Sequence, residues 1–353
     1  MRKETKIITG DTPGQEWQLK VLHFNGNDPE APTAYLQAGL HGAELPGVAA
    51  LHFLIPMLQQ AEAEGRLAGN VTIVPFANPI GLSQYLNAQH LGRFDFYSRT
   101  NFNRDHALLK DFDTSALPAL DAPVAQDRRL KAELMRMALA HEIILDLHCD
   151  DEGENYVYLH ESFWPDMADL TEALGCTGVL LWNDPRDAAF DEACAHPIIS
   201  NVPGRYDMKR RAVTTVEFRG VSDVSPELAK SDASGLMRFL THRGVVHGES
   251  GLKGDILAKN VTPLANVEMI NAPVGGMLLF NVKPGDDVVE GQTLATIVFE
   301  PGDPDGFVTL FAPQAGFILT RQSHRFVRRG EDVLKLLGLK PSASSKRPGA
   351  LES

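Results

Sequence analysis

The chain has 353 residues, 43% of them hydrophobic, which is enough for two domains or for one large α/β domain with an appendage. Its 33 basic and 46 acidic residues give a formal charge of −13, a surface that repels nucleic acid and anionic lipid. Three cysteines, Cys149, Cys176 and Cys194, show no CxxC spacing, which argues against a disulfide framework or a cysteine-zinc site and suits a reducing compartment.

In chain order, MRKETKIITG is charged and lacks the apolar core of a leader. Residues up to about 31 read as β-hairpin material, with turn signals in GDTPG and NGNDPE. TAYLQAGL reads as a buried strand. Residues 45–60 read as a helix, with apolar positions at Val48, Leu51, Leu54, Ile55 and Leu58. The longest mostly apolar stretch, 47–58, is too short for a bilayer and contains His52 and Pro56. A cytoplasmic protein without membrane contact is therefore expected.

NVTIVPFANP continues as a strand, RLKAELMRMALAH as a helix and EIILDLHCD as a strand. MADLTEALG is a helix, and TGVLLW and RAVTTVEF are strands. SPELAKSDASGLMRFLTHRG is a helix with Ser225 as N-cap and Pro226 in its first turn. This alternation predicts an α/β fold, a mainly parallel mixed sheet flanked by helices, over residues 1–250.

Residues 251–339 are strand-like and punctuated by Gly, Pro and Asp. A weak repeat relates 272–294 to 312–334, which suggests a smaller all-β barrel-sandwich with pseudo-twofold symmetry. It resembles the biotinyl/lipoyl-like modules. Those carriers place a lysine between their halves, whereas no lysine occurs here between Lys283 and Lys335, so a capping role is expected instead. Residues 340–353, rich in Ser and Pro, read as a disordered tail.

Polar residues collect where the strands are expected to end. YLQAGL runs into His41, TIVPFA into Asn78, EIILDL into His148 and TTV into Glu217. Ligands of an open parallel sheet bind at that edge. Burying two imidazoles and a carboxylate there is costly unless they share a cation. His41 and Glu44 can face one point from the turn between strand and helix, and His148 can reach it from a neighbouring strand. Two His and one Glu are standard donors for a catalytic Zn²⁺, one per chain, with a fourth position left for water. Asp146, two residues before His148, shares its face and is placed to accept the second imidazole N–H. The chain contains no GxSxG elbow, no HExxH and no phosphate loop.

With GLHGAELPG, NFNRD, LDLHCD and TTVEFRG in this order, the chain resembles the succinylglutamate desuccinylase/aspartoacylase family, relatives of the zinc carboxypeptidases, over residues 32–340. The resemblance implies zinc on His41, Glu44 and His148, a catalytic Glu217, and substrate carboxylate recognition by Asn103 and Arg104. It also implies an arginine that polarises the scissile carbonyl. Arg93 and Arg99 both qualify, and Arg219 is a further candidate for contact with substrate. The expected activity is deacylation of a small anionic N-acyl amino acid. Carboxypeptidase-like cleavage and an inactive binding scaffold are the alternatives. The acyl group stays open, and a homo-oligomer is neither required nor excluded.

Overall fold

Short apolar runs alternate with helices in this computed structural model, which describes residues 1–202 and 204–342. An antiparallel pair opens the chain, β1 (Arg2–Thr9) and β2 (Glu16–Phe24). The buried β3 (Ala34–Ala38) leads into α1 (Pro46–Ala63), where proline at the first position needs no amide partner. Leu51, Leu54 and Leu58 of α1 are buried, one stripe at helical spacing, while Val48 and Ile55 pack at its margin. Next come β4 (Val71–Val74), the short α2 (Pro79–Leu82), and the small pair β5 (Tyr85–Leu86) and β6 (Gln89–His90).

After a long irregular segment follow α3 (Gln126–Ala138), β7 (Ile143–Asp150), β8 (Glu152–Gly153) and β9 (Tyr156–His160). Then come α4 (Ala168–Leu174), β10 (Gly178–Trp182), α5 (Phe190–Ile199), β11 (Ala212–Gly220) and α6 (Pro226–His242). Ser225 caps α6 by accepting from the Leu228 amide, as its sequence predicts. No helix among the described residues is long and apolar enough to cross a membrane.

The large sheet has nine strands in the order β1-β2-β4-β3-β7-β11-β9-β10-β12, with β12 (Asn260–Pro263) parallel to β10. The sheet thus extends past residue 250. It is mixed: β4, β3, β7 and β11 run parallel, while β9 pairs antiparallel to β11. Two of these elements escape the sequence reading. β9 is short and lies between turn residues. α5 carries Pro197 in its interior, which breaks the helical signature.

The remaining strands are β13 (Val267–Asn271), β14 (Gly276–Phe280), β15 (Asp287–Val288), β16 (Thr293–Val298), β17 (Phe307–Phe311), β18 (Gly316–Arg321), β19 (Phe326–Val327) and β20 (Asp332–Gly338). Their pairing exchanges between the two repeated segments. β15 pairs β18 and β14 pairs β19, while β13 joins β20 and β17 joins β16. They enclose a separate apolar core containing Leu294, Ile297, Ile318 and Leu336. A second apolar seam, with Tyr156, Leu180, Phe317 and Leu319, binds them to the large sheet. β8 pairs with β18 at the same junction.

Of the tail expected to be disordered, residues 340–342 are tied down. The Lys340 amide donates to Gln314, and Ser342 donates to Ala265 O and to Glu268. Residues 343–353 lie outside the described residues.

Candidate active site

The strand register sets the site. Across β3, β7, β11 and β9, one row aligns Gln37, Asp146, Thr215 and Tyr158, and the next aligns His148, Glu217 and Tyr156. Side chains on a strand alternate in direction, so these two rows share a face. His148 and Glu217 are neighbours on adjacent parallel strands, inside the strands rather than at their ends as the sequence suggests.

His41 and Glu44 approach from the loop that joins β3 to α1. Gly42 in this loop donates its amide to Gly92 O, and a Cβ there would stand 2.6 Å from the Gly81 carbonyl carbon. Only glycine admits that crossing. His41 and Glu44 therefore rest against the segment that carries Arg93.

His41, Glu44 and His148 each offer a ligand atom, and these atoms lie within 4.8 Å of one another. All three residues are buried. His41 Nδ1 stands 2.8 Å from Glu44 Oε1, and His148 Nδ1 stands 2.8 Å from Glu44 Oε2. The other ring nitrogens are already committed. His148 Nε2 donates to Asp146 Oδ2 at 2.8 Å, within a chain in which Tyr35 donates to Gln37 and Gln37 to Asp146. His41 Nε2 donates at 2.9 Å to Asn101 Oδ1, an oxygen that also accepts the Asn103 amide. In these tautomers both Nδ1 atoms present lone pairs to carboxylate oxygens. Acceptors facing acceptors call for positive charge between them: Arg93 Nη1 stands 3.3 Å from His41 Nδ1 and 3.2 Å from Glu44 Oε1, and the facing pair at His148 is left for a proton or a metal ion. The donor set fits a divalent ion with a preference for nitrogen and oxygen.

The electrostatics agree. Burial opposes charge on Glu44, yet the two imidazoles hold its carboxyl well below the usual range. Burial also opposes charge on His148, but Asp146 and Glu44 together raise its pKa well above that of an ordinary imidazole. Burial lowers His41, with Arg93 adding to the effect.

These residues line a cavity of about 670 Å³ together with Arg93, Asn103, Arg104 and Glu217. Glu217 Oε2 is sealed from solvent and has no hydrogen-bond partner among the described residues. Burial pushes the Glu217 carboxyl up to about 8; His148 opposes this, while Glu44 and Asp150 add to it. Asn103 is oriented by α5, since its Oδ1 accepts the Phe190 amide at 2.8 Å. Arg104 donates to Asn103 O at 2.7 Å.

The three further arginine candidates separate. Arg93 Nη1 lies 3.2 Å from Glu44 Oε1 and lines the cavity. Arg99 is exposed, on a left-handed turn with φ 58°, and is not among the lining residues. Arg219 is also turned away. A register shift follows Glu217, Arg219 takes φ 52°, and its guanidinium grips Asp232 with both terminal nitrogens. Asn78 likewise has an internal task, capping α2 at the Gly81 amide and donating to Leu40 O.

Several lining or supporting residues escape the sequence reading. Asn101 has a faint signal as the first residue of NFNRD. Lys335 has none: it reaches the cavity from β20 and pairs with Asp150, which also accepts from Tyr156 at 2.8 Å. Arg321 at the end of β18 and His324 in the turn after it complete the rim.

If the cluster holds a metal, Asp146 orients one ligand. Asp146→Asn is then expected to weaken metal affinity about 10- to 100-fold without unfolding the protein. Competition with a chromogenic chelator measures this, and unchanged affinity would remove Asp146 from the site.

Residues 30–243 match the family model of the succinylglutamate desuccinylase/aspartoacylase catalytic domain. Among solved structures, the chain is similar to a succinylglutamate desuccinylase/aspartoacylase-type protein from Shewanella frigidimarina NCIMB 400, with 23% identity and a TM-score of 0.82 over 97% of this chain and 99% of that one. A family protein from Shewanella amazonensis SB2B is 26% identical, with a TM-score of 0.80 over 96% and 98%. The product-bound ectoine utilization protein EutE (DoeB) from Ruegeria pomeroyi shares the fold at 18% identity and a TM-score of 0.71, over 96% and 95%. No curated protein matches the chain significantly.

Proposed function

This chain belongs to the succinylglutamate desuccinylase/aspartoacylase family of hydrolases, and from that premise we propose that it is a zinc-dependent deacylase of small N-acyl amino acids. The observation that carries the reading is the pair of Nδ1 lone pairs facing one carboxylate, beside an unpartnered buried Glu217 Oε2.

In this reading His41, Glu44 and His148 hold the ion. When bound, zinc supplies Lewis acidity, which lowers the pKa of a water from its bulk value to about 7. Arg104 and Asn103 bind the carboxylate of the substrate and so fix its amide over the cavity floor. Glu217 Oε2 takes the proton of the attacking water and returns it to the leaving nitrogen. Arg93, beside Glu44, turns a guanidinium N–H toward the carbonyl oxygen as charge develops on it, while Arg99 and Arg219 take no part. Residues 1–250, with β12 at the edge of their sheet, act as the catalytic unit, and the remaining strands up to residue 339 cap it. The C-terminal rim of Arg321, His324 and Lys335 supports small substrates over polypeptides.

Purified protein stripped with chelator is expected to lose turnover of N-acetyl and N-succinyl amino acids, and one equivalent of zinc is expected to restore it. A panel that includes short peptides tests the carboxypeptidase alternative. Hydrolysis of peptides alone would overturn the deacylase assignment, and no turnover at all would leave a binding scaffold.

A further inference from the structure

The cavity continues beyond the cluster of His41, Glu44 and His148, along the face of the sheet. From Glu217 it passes one register row to Thr215 and Tyr158, then on to Trp182 at the end of β10. Asp187, Asp191 and Glu192 cover this recess from the start of α5, and Arg104 flanks it.

Three polar groups in the recess are incompletely partnered in the fold. Trp182 Nε1 is buried without a hydrogen-bond partner among the described residues, and the equally buried Thr215 Oγ1 has none but the Asp191 carboxyl beside it. Asp191 is only 4% exposed, lies near the like charge of Asp146, and forms no ion pair with Lys or Arg among the described residues. Burial, reinforced by Asp146, pushes its carboxyl up to about 6, and the nearby Glu192 amide and Thr215 hydroxyl offset this only in part. Glu192 differs, because its side chain accepts the Ala189 amide at the helix start. Capping therefore accounts for Glu192, whereas Asp191 meets only the Glu192 amide and the Thr215 hydroxyl, and Trp182 Nε1 is left over. Buried orphans of this kind are costly unless a ligand completes them.

We propose that this recess receives the side chain of the amino acid released by deacylation, and that this side chain ends in a primary ammonium. The inference rests on the deacylase reading above. An ammonium has three N–H donors and no acceptor. Asp191 and Thr215 Oγ1 accept two of them. A water that also accepts from Trp182 Nε1–H takes the third. A carboxylate in the same place would meet Asp187 and Asp191, whereas Glu192, which burial pushes up to about 8, adds no repulsion near neutral pH. Arg104, which flanks the recess, already donates to Asn103 O and stands 3.8 Å from Asp187. Thr215 lies two residues before Glu217 on one strand, about 7 Å away, a span that a side chain of ornithine or lysine length covers.

The test uses zinc-reconstituted protein with the Nα-acetyl and Nα-succinyl derivatives of ornithine, lysine, glutamine, glutamate and aspartate. The basic substrates are expected to exceed the acidic ones in kcat/KM by about 10- to 100-fold. Asp191→Asn is expected to bring that ratio close to one, mainly through KM. Thr215→Val should narrow it less, and this variant serves if the first does not fold. Preference for the acidic substrates, or a ratio that neither variant moves, would overturn the subsite while leaving deacylation intact. If no Nα-acyl amino acid is hydrolysed, the deacylase reading fails, and calorimetric titration of free amino acids decides the recess. Ornithine binding that Asp191→Asn abolishes retains the subsite; equal or tighter binding of glutamate, or no binding, overturns it.

Discussion

Glu217→Gln is expected to lower kcat by about 100- to 10,000-fold while the protein still binds one zinc ion, the range typical for loss of a general base. The amide keeps the size and shape of the carboxyl but cannot take a proton. Glu217 is a neighbour of His148 across the β7–β11 register, and it is not one of the three clustered donors, so metal affinity should change little. Metal analysis beside steady-state kinetics checks both halves. Full activity in this variant would reassign the base.

The same substitution has a signature in stability. In the metal-free protein burial raises the Glu217 pKa from its ordinary value of 4.5 to about 8. The folded state then holds the proton more tightly than the unfolded chain does, so stability falls as pH rises through the window from 4.5 to about 8. The amide of the variant cannot ionise and escapes this loss. Metal-free Glu217→Gln protein should therefore melt above metal-free wild type at about pH 8 and converge with it near pH 4. Thermal melts across that range decide the matter, and parallel curves would show that Glu217 is solvated.

Glu44→Gln carries the second large effect. Glu44 is the hub of the cluster, since its two oxygens face the two imidazoles and Oε2 also accepts the Cys149 amide at 3.3 Å. Removing its charge leaves two neutral imidazoles and no anion to balance a divalent ion. Turnover is expected to vanish. Zinc should also cease to stabilise the fold, whereas wild type should gain about 4 kcal/mol at free zinc about 1,000 times its Kd. Calorimetric melts with and without zinc measure the difference. A variant still stabilised by zinc to the wild-type extent would mean that the ion binds elsewhere.

Much of this site is legible in the sequence, because its signals are local. Alternation along a strand sets Asp146 and His148 on one face. A strand that ends at a turn before a helix brings His41 and Glu44 within three residues. The repeated segments after residue 271 likewise show as paired strands. Such patterns depend on backbone periods of two and 3.6 residues, which the chain carries with it everywhere.

What only the tertiary structure decides depends on the course of loops and on contacts between distant segments. Arg93 and Arg99 look alike in sequence, yet the crossing at Gly42 brings one to the cavity and a left-handed turn sends the other to solvent. Arg219 follows Glu217 closely, but a register shift directs it to Asp232. Lys335 comes from β20, and Asp191 lies on a helix that Pro197 hides from pattern reading. No local period encodes these meetings, because they follow from how packed elements cross, and that is set by burial summed over the whole core.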